Sequence, residues 1–342
     1  MSLPDTMRAV VLYDVDDIRI EQRPVPQLQP GEMLVRTMAA GICTGDILPW
    51  YIRRKAPCVL GHEPSGIVAA VADDGASAPS FHVGDRVFVH HHAPCFECDA
   101  CERGDYVQCG GWRASRIDPG AMAEYFRVPV ANLRDTLPLP AHVGFADGSL
   151  VEPLACVVKS LRRGGVTAGD EVYVIGLGVM GLMHVLAAQH LGARVFGSDF
   201  IAERRNRASQ LGATAFHPDD LSSAIANGAR VVICGPGVPA ALDAAVAAAA
   251  PGGTVVMFTP FEPGTPATID SERLYFRDLT VTGSYSCGPA DTRRSLELIA
   301  GGVVTAEKLG VTEIGLEDVP DAYRALAASR IVKPIVVFPT GG

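Results

Sequence analysis

Four cysteines crowd into one short stretch of this 342-residue chain: Cys95, Cys98, Cys101 and Cys109, spaced C-x2-C-x2-C-x7-C. Four thiolates that close together can wrap one tetrahedral zinc and fill all of its positions. A closed site leaves no place for substrate, so a structural zinc is expected. The same opening run occurs in ferredoxin-type iron–sulfur motifs, but the x7 gap and the missing Cys-Pro ending weigh against a cluster. His90, His91 and His92 precede this lobe. With four thiolates sufficient for the ion, they are expected to form a solvated turn.

A second set of metal-ligand types is scattered. His62 and Glu63 sit side by side in Gly61-His62-Glu63-Pro64, after a short apolar run and before Pro64 and Gly66, which argue against a helix interior. Alone the pair reads as a polar turn. Cys43, in the Gly-punctuated stretch 39–46, adds a thiolate candidate, and Asp46 could orient the imidazole of His62 from behind. Glu152 stands where a β-rich part ends and a different texture begins. A ligand there would bring a metal to the cleft between two domains, where small substrates usually bind.

That second texture starts near residue 170. A short apolar strand, 170–175, runs into Gly176-Leu177-Gly178-Val179-Met180-Gly181, then a stretch of helical spacing, 182–191, then a strand, 193–198, ending at Asp199. G-x-G-x-x-G is weak alone and strong between strand and helix with an acidic residue after the next strand. The first glycine permits the tight turn, the second close approach of backbone to a pyrophosphate, and the third close packing of helix on strand. The free N–H groups of the helix start face the phosphates. Asp199 would accept from the adenosine ribose hydroxyls and repel a 2′-phosphate, which favours NAD over NADP. Arg204 and Arg205 keep NADP open.

The surrounding elements fit two domains. Residues 7–13, 18–23, 32–38, 66–71 and 86–89 read as strands, with 39–46 a turn and 73–79 a loop. Beyond the dinucleotide motif, helices at 201–211 and 239–250 alternate with strands at 231–233, 254–258 and 279–282, the pattern of a parallel sheet with crossover helices. Helices at 292–300 and 318–328 and a last strand at 334–338 make a tail too short for its own domain. The expected organisation is 1–152 catalytic, with the zinc lobe at 90–112, then 153–287 dinucleotide-binding, then a return of 288–342 to the first domain.

Composition narrows the function. The chain is 48% hydrophobic and 20% charged, with a net charge of −9. The acidity argues against nucleic acid and anionic membrane as partners. No apolar run approaches the ~18 residues of a membrane span, and no signal peptide is visible. Nine cysteines in such a chain, several of them clustered, read as metal ligands or catalytic thiols in a reducing, cytoplasmic setting. Cys58, Cys156, Cys234 and Cys287 have no assigned role beyond buried packing.

Together these motifs resemble the zinc-dependent medium-chain dehydrogenases of the alcohol dehydrogenase superfamily. The similarity spans nearly the whole chain: 41–46, Gly61-His62-Glu63, the cysteine lobe, 120–125, Glu152-Pro153-Leu154 and 176–199. Glu63 after the histidine, and Glu152 where alcohol dehydrogenases carry cysteine, point to the polyol branch of sorbitol, threonine and butanediol dehydrogenases. The resemblance implies an α/β fold, a GroES-like β-rich catalytic domain plus a Rossmann domain. It implies Cys43 and His62 as ligands of a catalytic zinc, with Glu63 and Glu152 as ligands or near-ligands. It also implies hydride transfer to NAD or NADP from a polyol, cyclitol, aminocyclitol or sugar alcohol, and a homodimer or homotetramer. An amino-alcohol dehydrogenase, an NADPH-dependent ketone reductase and a zinc-free quinone reductase-like protein are the alternatives. The chain departs from the family at the proton relay. The usual hydroxyl position is Gly45, and the usual relay histidine is Leu48, leaving Thr44 or water held by Glu63 and Glu152. Trp50, Tyr51, Arg53, Arg54 and Lys55 either flank the pocket or form a solvated loop.

Overall fold

The computed structural model describes residues 3–75 and 81–339. In chain order the strands are β1 (Thr6–Asp14), β2 (Asp17–Pro24), β3 (Met33–Gly41), β4 (Cys58–Val59), β5 (Glu63–Val71), β6 (Arg86–Val89), β7 (Tyr125–Val128) and β8 (Thr136–Pro138). They continue as β9 (Glu171–Ile175), β10 (Arg194–Ser198), β11 (Thr214–Phe216), β12 (Ala229–Cys234), β13 (Ala249–Met257), β14 (Thr280–Gly283), β15 (Thr312–Ile314) and β16 (Pro334–Val337). The chain divides into two compact units, Met1–Pro153 with Cys287–Gly342, and Leu154–Ser286. No helix among the described residues is long and apolar enough to cross a membrane.

The first unit is β-rich. One sheet runs β2-β1-β4, and a larger one runs β15-β16-β3-β5-β6-β8 with β7 paired to β3. β3 is longer than the expected 32–38. Ala39, Ala40 and Gly41, read as part of a turn, are strand, because they pair with Val337, Val336 and Ile335 of β16 on one side and with β5 on the other. Two buried partners override the turn signal of a small-residue run. β5 likewise starts at Glu63 rather than at Gly66, with Pro64 opposite Ala40. Of the loop expected over 73–79, residues 76–79 lie outside the described residues. Among the apolar cores of the unit, one lies around Val10, Leu12, Ala40, Ile42, Met122 and Tyr323, another around Val35, Val68, Val87 and Phe126.

The second unit is a six-stranded parallel sheet in the order β11-β10-β9-β12-β13-β14. The order reverses between β9 and β12, so ligands are expected at the carboxyl end of β9, where the glycine motif lies. Val172, Val174, Val231, Val232 and Ile233 are buried, as central parallel strands require. The helix expected to run to 250 stops at Ala248, and Ala249 opens β13. The helix Val151–Gly164, whose apolar spacing went unread, carries Glu152 in its first turn.

Candidate active site

The site is built from the first unit alone. β3 ends at Gly41, and Cys43 caps the 3-10 turn Thr44–Ile47, its sulfur accepting from the Gly45 N–H at 3.3 Å. His62 follows Gly61, whose φ is +95°. A Cβ at Gly61 would sit 2.3 Å from the Met122 nitrogen, so only glycine lets this segment lie against 121–122. The two segments bring donor atoms of Cys43, His62 and Glu63 within 4.8 Å of one another. Asp46, 3% exposed, has Oδ2 3.6 Å from Nδ1 of His62. Although 22% of the His62 side chain is exposed, burial pushes its pKa down to about 4. The ring is therefore neutral at ordinary pH, the form that ligates metal. Burial, then the charges of Glu63 and Asp46, push the Cys43 thiol well up. A thiolate there needs a cation, and a sulfur, an imidazole and carboxylates are a donor set that fits zinc.

Glu63 does not stand alone. Its carboxylate contacts the Lys333 ammonium, and each side chain is 1% exposed. Lys333 Nζ also donates to the Ile42 carbonyl at 2.9 Å. The register explains the meeting: Gly41 lies between Glu63 on β5 and Ile335 on β16. A Cβ on Gly41 would fall 2.0 Å from Oε2 of Glu63 and 3.1 Å from Nζ of Lys333. Lys333 was missed by motif reading. Its signal was a lysine inside the apolar run Ile331-Val332-Lys333-Pro334-Ile335.

Glu152 lies elsewhere in the site. Its carboxylate groups with ring nitrogens of His90 and His91, all within 4.8 Å, and its charge still raises the Cys43 thiol. The histidine run is not a solvated turn. β6 carries the chain directly into His90, which is fully buried, with Nδ1 2.6 Å from Oδ2 of an equally buried Asp135. Asp135 in turn accepts from the Thr292 hydroxyl at 3.1 Å. The His91 ring centroid is 5.0 Å from that of His62. Burial drives the His91 pKa well below its usual value, and takes that of His92, whose Nδ1 faces the Ser115 carbonyl, to about 4. Cys287 is buried as expected, and its sulfur is 3.6 Å from Nε2 of His90.

The segment after Cys43 splits. Lys55 turns inward, its Nζ 3.8 Å from Oδ1 of Asp46 and 3.9 Å from the Tyr51 ring centroid. Tyr51 Cε1 is 3.9 Å from where a Gly45 Cβ would be. Arg53 instead pairs with Asp14 at the surface, and Arg54 is exposed. Thr44 is half-buried beside Cys43, while Gly45 and Leu48 present neither hydroxyl nor imidazole.

In the cysteine lobe the sulfurs of Cys95, Cys98, Cys101 and Cys109 lie within 4.8 Å of one another, with Cys95–Cys109 at 3.5 Å and Cys98–Cys101 at 3.6 Å. Tetrahedral zinc with bonds of ~2.3 Å separates its sulfurs by ~3.8 Å, so the four fit one ion. Burial opposes the Cys109 thiolate, but backbone N–H groups of Cys95 and Trp112 outweigh it and draw the pKa down to about 6. Burial pushes Cys101 up to about 12. None of the nine cysteines is in a disulfide.

In the second unit, Gly176 (φ +88°) turns the chain out of β9, and Gly178 caps the helix Val179–His190. Leu177 lies in the turn, and Val179 and Met180 open the helix. A Cβ on Gly181 would sit 2.0 Å from the Gly176 oxygen, whereas one on Gly178 would meet nothing within 4 Å. The first is helix against strand, and the second is open space for a phosphate. Asp199 follows β10, accepting from the N–H groups of Leu177 and Ile201 at 2.9 Å each. Arg204 Nη1 is 3.5 Å from its Oδ2, and Arg205 donates to the Asp199 and Phe200 carbonyls.

Comparison with known proteins agrees with this anatomy. Residues 29–141 match the alcohol dehydrogenase GroES-like domain, and residues 179–301 match the zinc-binding dehydrogenase family. Sorbitol dehydrogenase of Bacillus subtilis (strain 168) is 29% identical, with 99% of each chain covered. D-xylulose reductase A of Aspergillus oryzae is 27% identical, with 95% of each chain covered. Among solved structures, alcohol dehydrogenase TADH from Thermus sp. ATN1 is 29% identical with a TM-score of 0.85, covering 97% of this chain and 100% of that one. Both domains of the family are matched in their order along the chain, which belongs to the zinc-dependent medium-chain alcohol dehydrogenases, in the company of polyol dehydrogenases.

Proposed function

We propose that the chain transfers a hydride between a nicotinamide cofactor and the secondary alcohol or ketone of a polyol, cyclitol, aminocyclitol or sugar. One observation carries the reading: donors of Cys43, His62 and Glu63 converge within 4.8 Å beside the buried carboxylate of Glu152. Zinc held there supplies a Lewis acid at the substrate oxygen, and the nicotinamide carries the hydride. Cys43 and His62 would hold the ion, with Glu152 or Glu63 as the carboxylate ligand. Glu63 stands next to the donors with its charge already balanced by Lys333, which makes it the weaker ligand of the two carboxylates. Asp46, with Oδ2 3.6 Å from Nδ1 of His62, would orient that ring from behind. The Thr44 hydroxyl, or water held by Glu63 and Glu152, would relay the alcohol proton, Thr44 accepting it while passing its own to solvent, since Gly45 and Leu48 cannot. Cys95, Cys98, Cys101 and Cys109 hold a second, structural zinc.

NAD is the favoured cofactor. The Asp199 carboxylate accepts from ribose hydroxyls and repels a 2′-phosphate, and Arg204 at 3.5 Å softens that repulsion without removing it. A homodimer or homotetramer in the cytoplasm fits the free thiols and the exposed Tyr275, Phe276 and Val238 of a unit whose sheet ends on the edge strand β14. The test is NADH absorbance with NAD and NADP across polyols, cyclitols, amino alcohols and simple secondary alcohols, together with metal analysis. Two zinc per chain and turnover of polyols with NAD are expected. One zinc per chain and no turnover of any alcohol would return the chain to the zinc-free cofactor-binding class.

A further inference from the structure

The three consecutive imidazoles before the cysteine lobe differ in one respect. His90 is used on both sides, with Nδ1 on Asp135 and Nε2 facing the Cys287 sulfur. His92 has Nδ1 on the Ser115 carbonyl, and its ring lies 4.4 Å from that of Trp112. His91 Nδ1 is buried from solvent and has no hydrogen-bond partner. A buried ring nitrogen left unpaired in a native structure calls for an explanation. Its position supplies one. The His91 ring packs on the His62 ring, and one of its nitrogens lies within 4.8 Å of a Glu152 carboxylate oxygen. It stands beside the donors without being one of the Cys43–His62–Glu63 set.

We infer that His91 binds the hydroxyl adjacent to the reacting carbon of the substrate, so that the site selects vicinal diols and 2-hydroxyketones over simple alcohols. The inference rests on the dehydrogenase reading above. A neutral imidazole nitrogen suits a hydroxyl, because one can donate where the other accepts. In a vicinal diol the second oxygen is the nearest polar group to the one at the metal. A monohydric alcohol leaves the His91 nitrogen buried and unpaired, and sites that hydrogen-bond a substrate hydroxyl reject analogues lacking it for that reason. His90 and Asp135 support the arrangement from behind, since their fully buried pair anchors the backbone on which His91 is mounted.

The test compares 2,3-butanediol with 2-butanol, which share a carbon skeleton and differ by the vicinal hydroxyl. In the zinc-loaded enzyme His91→Phe keeps a ring but removes the nitrogen, and His91→Asn restores a polar atom near the Nδ1 position. His91→Phe is expected to lower the diol-to-monool ratio of kcat/KM by about 10- to 100-fold, chiefly through KM for the diol. His91→Asn should recover part of the ratio. Zinc should stay at two per chain in both variants, and the diol should raise the melting temperature of the NAD- and zinc-loaded parent more than that of His91→Phe. An unchanged ratio, or loss of one zinc in His91→Phe, overturns the inference. If the parent enzyme oxidises neither these two alcohols nor any polyol, cyclitol or amino alcohol, the dehydrogenase reading falls, and the melting-temperature arm still decides whether His91 holds a vicinal hydroxyl. No diol-dependent shift in the parent would then refute it.

Discussion

Replacing Lys333 by methionine is the sharpest perturbation this unit offers. Met fills much of the same volume and keeps the aliphatic stem, so the change removes chiefly a charge. The Lys333 ammonium and the Glu63 carboxylate are each 1% exposed and in contact, and the ammonium also serves the Ile42 carbonyl. Removing one member of a buried pair strands the other charge, at a cost of about 3–5 kcal/mol. For a unit of about this size, each kcal/mol moves Tm by ~2–4 °C, so the metal-free variant should melt roughly 6–20 °C lower. The readout is favourable, because the two tryptophans of the chain, Trp50 and Trp112, both lie in this unit. Their fluorescence in urea therefore follows its unfolding. The double variant Glu63→Gln/Lys333→Met removes both charges and should recover more than half of the loss. Zinc loading should narrow the deficit of the single variant, since a cation at Cys43 and His62 offers Glu63 another counter-charge. A single variant within 1 kcal/mol of the parent, or a double variant no better than the single, would refute the reasoning.

Three further outcomes follow from the same geometry. Cys98→Ser should lower bound zinc from two per chain to one and shift Trp112 emission to the red, because Trp112 packs on the cysteine cluster; two retained zinc ions would show that the lobe is not a metal site. Thr44→Val should reduce kcat about 100-fold and alter its pH profile if that hydroxyl takes the proton; full activity with an unchanged profile would send the proton by another route. His184 is buried between Ser160 Oγ at 2.6 Å and the Met180 carbonyl at 2.7 Å, and burial lowers its pKa to about 4. The unfolded chain takes a proton on this ring below pH ~6.5, and the native ring does not until about pH 4, so stability is full above 6.5 and drains away between them. The loss is about 3 kcal/mol at ~1.4 kcal/mol per pH unit, and His184→Gln should flatten it in urea titrations followed by circular dichroism.

Legibility in the sequence followed the distance over which each feature is encoded. The cysteine lobe and the glycine motif are local. Their spacing is their mechanism, and Gly181 against the Gly176 oxygen is the close approach that the motif implies. Cys43, His62 and Glu152 were nameable because a known constellation linked them. Lys333 was not, since it meets Glu63 across 270 residues through the register of β16 on β3 and β5. His90 and Asp135 are 45 residues apart on separate segments. Nothing in a run of three histidines says that the first is buried, the second orphaned and the third tied to a carbonyl. β3 beyond Met38 and the start of β5 at Glu63 were misjudged for a related reason: Gly and Pro signal turns locally, and strand partners on both sides override them.

The charges in the site argue for what it is built to hold. Cys43, Asp46, Glu63 and Glu152 can all carry negative charge in a small volume, and all but Cys43 are buried. Lys333 answers Glu63, and Lys55 at 3.8 Å answers Asp46. Burial and the charges of Glu63, Asp46 and Glu152 hold the Cys43 thiol up, and the opposing charge of Lys333 is outweighed. His62 and His91 are held neutral, the first with a pKa near 4. Two lysines thus stand against the carboxylates of Glu63 and Asp46, while the Cys43 thiol remains raised. A divalent cation bound there would favour the Cys43 thiolate and so tie metal occupancy to the ionisation of the site.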